Sequence, residues 1–477
     1  MRRVPLMIIG TAFDGPSLEP YRYSSAGDLG LKFGSIGWEC HTLAASTSSI
    51  TLSSTPWNNM VDITEYSAGD YNKYYLHGLV LSGNSMTFWK PGESKTIYVS
   101  YLREHPSGSV VKAAFEALAG MPDELYVMRL PGTKSVTRIG SGDSYITISS
   151  RYDGTLYNSM TITAGSTGIT IVPPPGMGYT RSYSLNTPKE LAKSINYDGA
   201  KNWIPVEVDW IGSSTVAPVM SSMSTGSDGT ITTSGLSTVL QYADLYGVDV
   251  AHIAGMTYED AKGLFNSAFF DELGYPTVVV QNLSMPASTV EVSAFVSTAC
   301  TIDTRELHAT AQELYYEVFP GVSYWGTMAP AYAAALSKDG ISSTRSPINI
   351  REFSPRYSAE SLSGLASKGI VSMVNTISVG PAVYKGVTTH STWTIADLKA
   401  YQSIYRDLYD ALEPIIGSIN YSYSQVNTIV GEAMANAPYI KSYSYGINIL
   451  SDYIVIDIDA TVIGEVNSIS FQVGVKT

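Results

Sequence analysis

The chain opens on an apolar run, "PLMIIGTA", of the length and texture of a strand covered on both faces. Helical period follows in "SAGDLGLKFG" and "SVVKAAFEALAG", and the second leads into the extended run "ELYVMRL". Residues 1–132 therefore read as the first part of an α/β core. From Lys134 the period changes to two. "YITISSRY" and "SMTITAGSTGITIVPPPG" alternate β-branched with small polar residues, which predicts an antiparallel sandwich or barrel inserted over residues 133–186. Pro173, Pro174 and Pro175 make a stiff exit, and Thr187, Pro188 and Glu190 supply the cap, first turn and capping box of a helix.

Over residues 187–389 the α/β texture resumes. "GVDVAHIAG" and "GYPTVVVQN" are short apolar strands, while "GLSTVLQYADLYG" and the Ala-rich "TMAPAYAAALSKDG" are helices. Residues 390–477 form a further unit. Leu398, Tyr401, Tyr405, Leu408, Leu412 and Ile415 mark one face of a long helix, which Thr394 and Asp397 are placed to cap. Val426, Ile429, Val430, Ala433 and Met434 mark a second helix, and the strands "YIVIDIDATV" and "ISFQVGVKT" finish the chain. In the last strand Ile469, Phe471, Val473 and Val475 alternate with Ser470, Gln472 and Gly474, so one face is apolar. The fold class is α/β, α+β overall: a core split by an antiparallel insert, then a C-terminal α/β domain.

Composition narrows the function. A chain of 477 residues holds about three domains by length. Only 15% of residues are charged while Tyr alone numbers 34, a mix suited to strands with polar, weakly charged surfaces. The net charge of −13 argues against a nucleic-acid partner, which needs Lys and Arg to displace counterions. No apolar run approaches the ~18 residues of a membrane span. The start "MRRVPLMIIGTA" has a signal-peptide flavour, but Asp14 and Gly15 interrupt it, so the chain is expected to be cytosolic when made.

Candidate chemistry is sparse. The glycines of "IIGTAFDGPSLEP" suggest a phosphate cradle, yet Pro16 removes a backbone N–H after Gly15 and no P-loop lysine follows. No G-x-S-x-G elbow occurs. Of six histidines, His252 is the best-placed general base, with Asp228 to orient it, although a satisfied structural histidine fits the same place. Asp457 and Asp459 pair on a strand, where one exposed face explains them equally well. Cys40 and Cys300 have no second cysteine or well-spaced histidine for zinc; they read as small hydrophobes, or as a disulfide between copies outside a reducing cytoplasm. No catalytic residue, metal or cofactor is expected, and the absence of a reactive constellation points toward assembly.

Several segments, in order, resemble the tail sheath proteins of contractile phages. They are "IIGTAFDGPSLEPYRYSSAGDLGLKFG", "VVKAAFEALAGMPDELYVMRL", "SSRYDGTLYNSMTIT" with Gly154 and Asn158, "STGSDGT", "YAAALSKDGISSTRSPINI" and "VYKGVTT". Ser227 replaces the usual Thr of the fourth segment, and only seven residues precede Ile8, where many relatives carry a longer arm. The resemblance implies a subtilisin-like core that is not a protease, a β-sandwich insert and a C-terminal sheath domain. It also implies a helical homopolymer of hexameric rings around a tail tube protein, with baseplate and tail terminator proteins as further partners. The particle would be a virion tail assembled in the bacterial host cytoplasm, and contraction would drive the tube through the host envelope.

Two surfaces follow from that reading. Ile469, Phe471, Val473 and Val475 suit strand addition to a neighbouring subunit, though an ordinary terminal strand fits the same pattern. Lys399 and Arg406, beside Asp397, Asp407 and Asp410, are candidates to face the tube, with a solvated helix face as the alternative. A tailocin or other contractile injection system is the runner-up setting, and a subtilase-like hydrolase the less favoured function.

Overall fold

In the computed structural model of the chain, the residues described are 4–57, 60–67, 70–104, 108–165, 167–174, 180–198, 206–216, 221–231, 236, 238–241, 246–264, 276–284, 306–318, 322–338, 343–390, 393–415, 422–449, 453–462 and 468–476. Seven strands form a central sheet in the order Tyr21–Arg22, Tyr126–Arg129, Val4–Gly10, Val248–Ile253, Val278–Asn282, Leu307–Thr310 and Ile370–Val371. All neighbours are parallel except the first pair. Every residue of Val4–Gly10, Val248–Ile253 and Val278–Asn282 is buried, as continuous apolar runs in a sheet covered on both faces should be.

One cover is made by the helices Val110–Leu118 and Ala329–Ser337, whose small side chains bring them close. At Gly120 a Cβ would lie 2.1 Å from the Ala331 carbonyl oxygen. Leu236, Val239, Leu240, Tyr258, Ala261 and Leu365 cover the opposite face. From Val4–Gly10 the chain passes to Tyr126–Arg129 on one side, then to Val248–Ile253 on the other. The topological switch point therefore lies between the 4–10 and 248–253 strands.

Three regions depart from the sequence reading. Among the described residues of 36–102, expected to be α/β, the regular elements are strands. Ile36–Leu43, Lys95–Leu102, Asp62–Ser67 and Asp70–Lys73 form one sheet, and Ser49–Thr51, Ser85–Thr87 and Val80–Ser82 a second, around a core that includes Leu43, Ile63, Met86, Ile97 and Val99. The insert also runs past residue 186. Its strand Ser144–Asp153 pairs with Val206–Ile211, and the helix Pro188–Asn196 buries Leu191, Ala192 and Ile195 among Ile146, Ile148 and Ile171. The Thr187 hydroxyl donates to Glu190 at 3.0 Å and caps no backbone N–H. Of the helix predicted in "GLSTVLQYADLYG", Leu236 and residues 238–241 are helical, while residues 235, 237 and 242–245 lie outside the described residues.

The C-terminal unit has two helices, Ile395–Leu412 and Tyr423–Asn436, both with capping boxes. Thr394 and Asp397 close the first, Asp397 N donating to the Thr394 hydroxyl at 3.3 Å and Thr394 N to the Asp397 carboxylate at 2.8 Å. Against the helices lies a sheet of three strands where two were predicted, Ile440–Ile449, Tyr453–Val462 and Ser468–Lys476.

Candidate assembly surfaces

At the C-terminal ends of the central strands, Arg129 holds the opening loop and lies in the field of Asp14, Asp153 and Asp228, from three loops distant in sequence. This residue ends the strand 126–129 and is fully buried, and its Nη1 donates to the Gly15 carbonyl at 2.8 Å. Gly15 sits at φ +98°, where a Cβ would press on the Lys32 carbonyl oxygen at 2.7 Å, so "FDGPS" turns where only glycine fits. Next to it Asp14 accepts a hydrogen bond from the Tyr157 hydroxyl at 2.5 Å. Burial pushes the Asp14 carboxyl up to about 6, against the opposing effects of that bond and of the Arg129 charge.

The insert is fastened to the same place. Asp153 accepts from Gly132 N at 2.9 Å, and Asp228 accepts from Thr155 N at 2.6 Å. Asn158 bonds both polar groups of Gly226, donating to its carbonyl at 3.0 Å and accepting from its N–H at 2.9 Å. A Cβ on Gly226 would come 2.1 Å from Ser135 Oγ. The Gly and Asn of "GTLYN" and the glycines of "GSDG" are thus needed by close backbone approach at one junction.

The other end of the sheet carries the C-terminal unit. Gln402 donates to the carbonyls of Asp249 at 2.7 Å and Pro276 at 2.8 Å, and Arg406 pairs with the Asp249 carboxylate at 2.7 Å. Lys399 donates to the Lys338 carbonyl. The structure therefore places Lys399 and Arg406, the expected tube-facing pair, at a seam inside the chain. Periodicity put them on the polar side of their helix but did not show what that side meets.

In the C-terminal sheet the last strand pairs antiparallel with Tyr453–Val462. Ile469, Phe471, Val473 and Val475 stand opposite Ala460, Ile458, Ile456 and Ile454, all of which are buried. Along the middle strand Asp457 and Asp459 are exposed on the face opposite Ile454, Ile456, Ile458 and Ala460, which pack against the two helices. Among the described residues no further strand pairs with the outer edge of either 440–449 or 468–476.

The hydrolase residues do not assemble. The His252 ring is buried with Nδ1 2.9 Å from the Val280 carbonyl oxygen, and burial lowers its pKa to about 4. Asp228 is bonded to Thr155 at the insert junction. Cys40 is a free, exposed thiol, and Cys300 lies outside the described residues. Among the described residues no cluster of His, Cys, Asp and Glu is arranged to hold a metal ion. No helix among them is long and apolar enough to cross a membrane.

No protein-family model matches the chain, and no curated protein matches it by sequence. Solved structures do match. A sheath tail protein from Listeria innocua aligns over 99% of this chain and 94% of its own, with a TM-score of 0.57 at 13% identity. A sheath tail protein from Desulfitobacterium hafniense aligns over 99% of this chain and 96% of its own, with a TM-score of 0.52 at 13% identity. The chain has the fold of the sheath tail proteins.

Proposed function

We propose that the chain is the repeating subunit of a contractile tail sheath and has no enzymatic role. The observation that carries this reading is a fold likeness to a sheath tail protein spanning nearly the full length of both chains. In this reading the central sheet and its helices are a subtilisin-like scaffold that does no proteolysis, consistent with the separation of His252 from Asp228. Subunits stack as hexameric rings around a tube protein, between a baseplate and a terminator. The particle is a phage tail, assembled in the host cytoplasm. Contraction then exchanges one set of subunit contacts for another, the behaviour of bistable interfaces.

The last strand, with Ile469, Phe471, Val473 and Val475, is the element we assign to linking neighbours. It sits at a sheet edge and joins its own sheet by main-chain bonds that a neighbour's edge can supply equally. A tube contact through Lys399 or Arg406 has to be compatible with their bonds to Lys338 and Asp249. The test is negative-stain microscopy of the full chain, alone and co-expressed with tube and baseplate proteins. Hollow cylinders of stacked rings are expected. Monomers under every condition would refute the reading, and cylinders that persist after deletion of residues 468–477 would refute the role of the last strand alone.

A further inference from the structure

A cleft of about 290 Å³ opens beside the switch point, at the C-terminal ends of the strands 248–253 and 278–282. Open α/β sheets present ligands with a crevice at this position. Its other walls are the 110–118 helix and the antiparallel strands Glu313–Val318 and Val322–Thr327.

Two neutral groups of opposite hydrogen-bonding sense line it. Glu116, one turn beyond Lys112, is only 5% exposed, and burial raises its carboxyl to about 8, so at neutral pH it carries its proton and donates. The Tyr324 hydroxyl approaches this carboxyl without a well-formed hydrogen bond. The carboxyl has room because residue 326 is glycine; a Cβ there would lie 2.4 Å from Glu116 Oε1. His252 supplies the acceptor. Its Nδ1 faces the Val280 carbonyl, which can only accept, so Nδ1 holds the proton and Nε2 offers a lone pair.

The remaining lining sets the ligand's character. The Asn282 side chain is already used, donating to the Leu283 carbonyl and accepting from the Thr310 hydroxyl. Lys112 and Glu313 also line the cleft, so a charged ligand of either sign meets one like charge. Trp325, 42% exposed, gives an apolar wall held by its ring contact with Tyr315 at 5.4 Å. A hydroxyl is the group that both accepts from an acid and donates to an imidazole. We propose that this cleft binds a small neutral polyhydroxylated molecule, a polyol or monosaccharide, whose hydroxyls engage Glu116 and His252 while a carbon face rests on Trp325.

The test is saturation-transfer NMR on the full chain with sorbitol, myo-inositol and methyl α-glucoside, alongside butylamine and acetate as charged probes. At least one neutral probe should bind saturably, and Trp325→Ala, a change at a half-exposed wall, should weaken it by about tenfold or more. Lys112→Met should leave neutral-probe affinity within about twofold. Melting curves of each variant separate lost binding from lost fold. The proposal fails if no neutral probe saturates, if butylamine or acetate binds as well, or if folded Trp325→Ala binds as the parent does.

Discussion

Tyr157 of the insert donates its hydroxyl proton to Asp14 of the opening loop at 2.5 Å, joining positions 143 residues apart within a buried junction. Tyr157→Phe removes the donor and leaves the carboxyl buried. A loss of about 1.5–3 kcal/mol in unfolding free energy is expected from a bond to an ionisable group, read by urea denaturation. An unchanged midpoint would mean the junction does not depend on this bond.

Asp14 also gives the junction a pH signature. Its folded pKa of about 6 lies above the unfolded 3.8, so the folded state holds the proton more tightly. The associated stability is fully present below about pH 4 and lost as the pH rises through 6, and the rise from 3.8 to about 6 amounts to about 3 kcal/mol. Asp14→Asn should therefore gain stability relative to the parent across that window and hold a constant difference above it. Melting temperatures from pH 4 to pH 8 measure the difference curve.

Glycine substitutions separate two kinds of position. At Gly154, φ is +141° and a Cβ would meet the Phe13 carbonyl oxygen at 2.1 Å. Gly154→Ala should cost about 2–4 kcal/mol through strain and overlap. Gly263 lies in the helix Tyr258–Leu264 with nothing within 4 Å of a Cβ, so Gly263→Ala should stabilise by about 0.5–1 kcal/mol. Thermal shifts of opposite sign check both.

Arg406→Ala removes the guanidinium 2.7 Å from the Asp249 carboxylate, which is 5% exposed. Because Arg406 itself is 21% exposed, a cost of about 2 kcal/mol is expected, below that of a fully buried pair. Hydrogen exchange should show amides of residues 395–412 opening earlier than those of 248–253. Equal protection of the two would show that the seam does not hold the C-terminal unit.

The strong periodic segments were legible: the 4–10 strand, the 110–118 helix and the capped 395–412 helix all stand where pattern put them. The strands of 36–102 were not, because several span only three residues. One signal was available: Gly83 and Asn84 separate Val80–Ser82 from Ser85–Thr87 as a two-residue hairpin turn, with Gly83 at φ +59°. The 440–449 strand carried a weaker one, Tyr445, Ile447 and Ile449 alternating with exposed residues. The helix 188–196 was legible from Pro188 at its first turn, though Thr187 does not cap it, and a local pattern of Leu191, Ala192 and Ile195 says nothing of which core receives it. Arg129 ends an apolar strand, and that it lies in the field of carboxylates from three distant loops is a property of the sheet, invisible to any window of sequence.

The insert and the C-terminal unit grip the central sheet at opposite ends of its strands, through the bonds of Tyr157 to Asp14 and of Asp153 to Gly132 at one and through Asp249 at the other. Any pull between these two modules runs lengthwise along parallel strands. The ladder is then loaded in shear, where its hydrogen bonds resist together and do not unzip one at a time. A chain built this way transmits displacement from one module to the other with little stretch of its own.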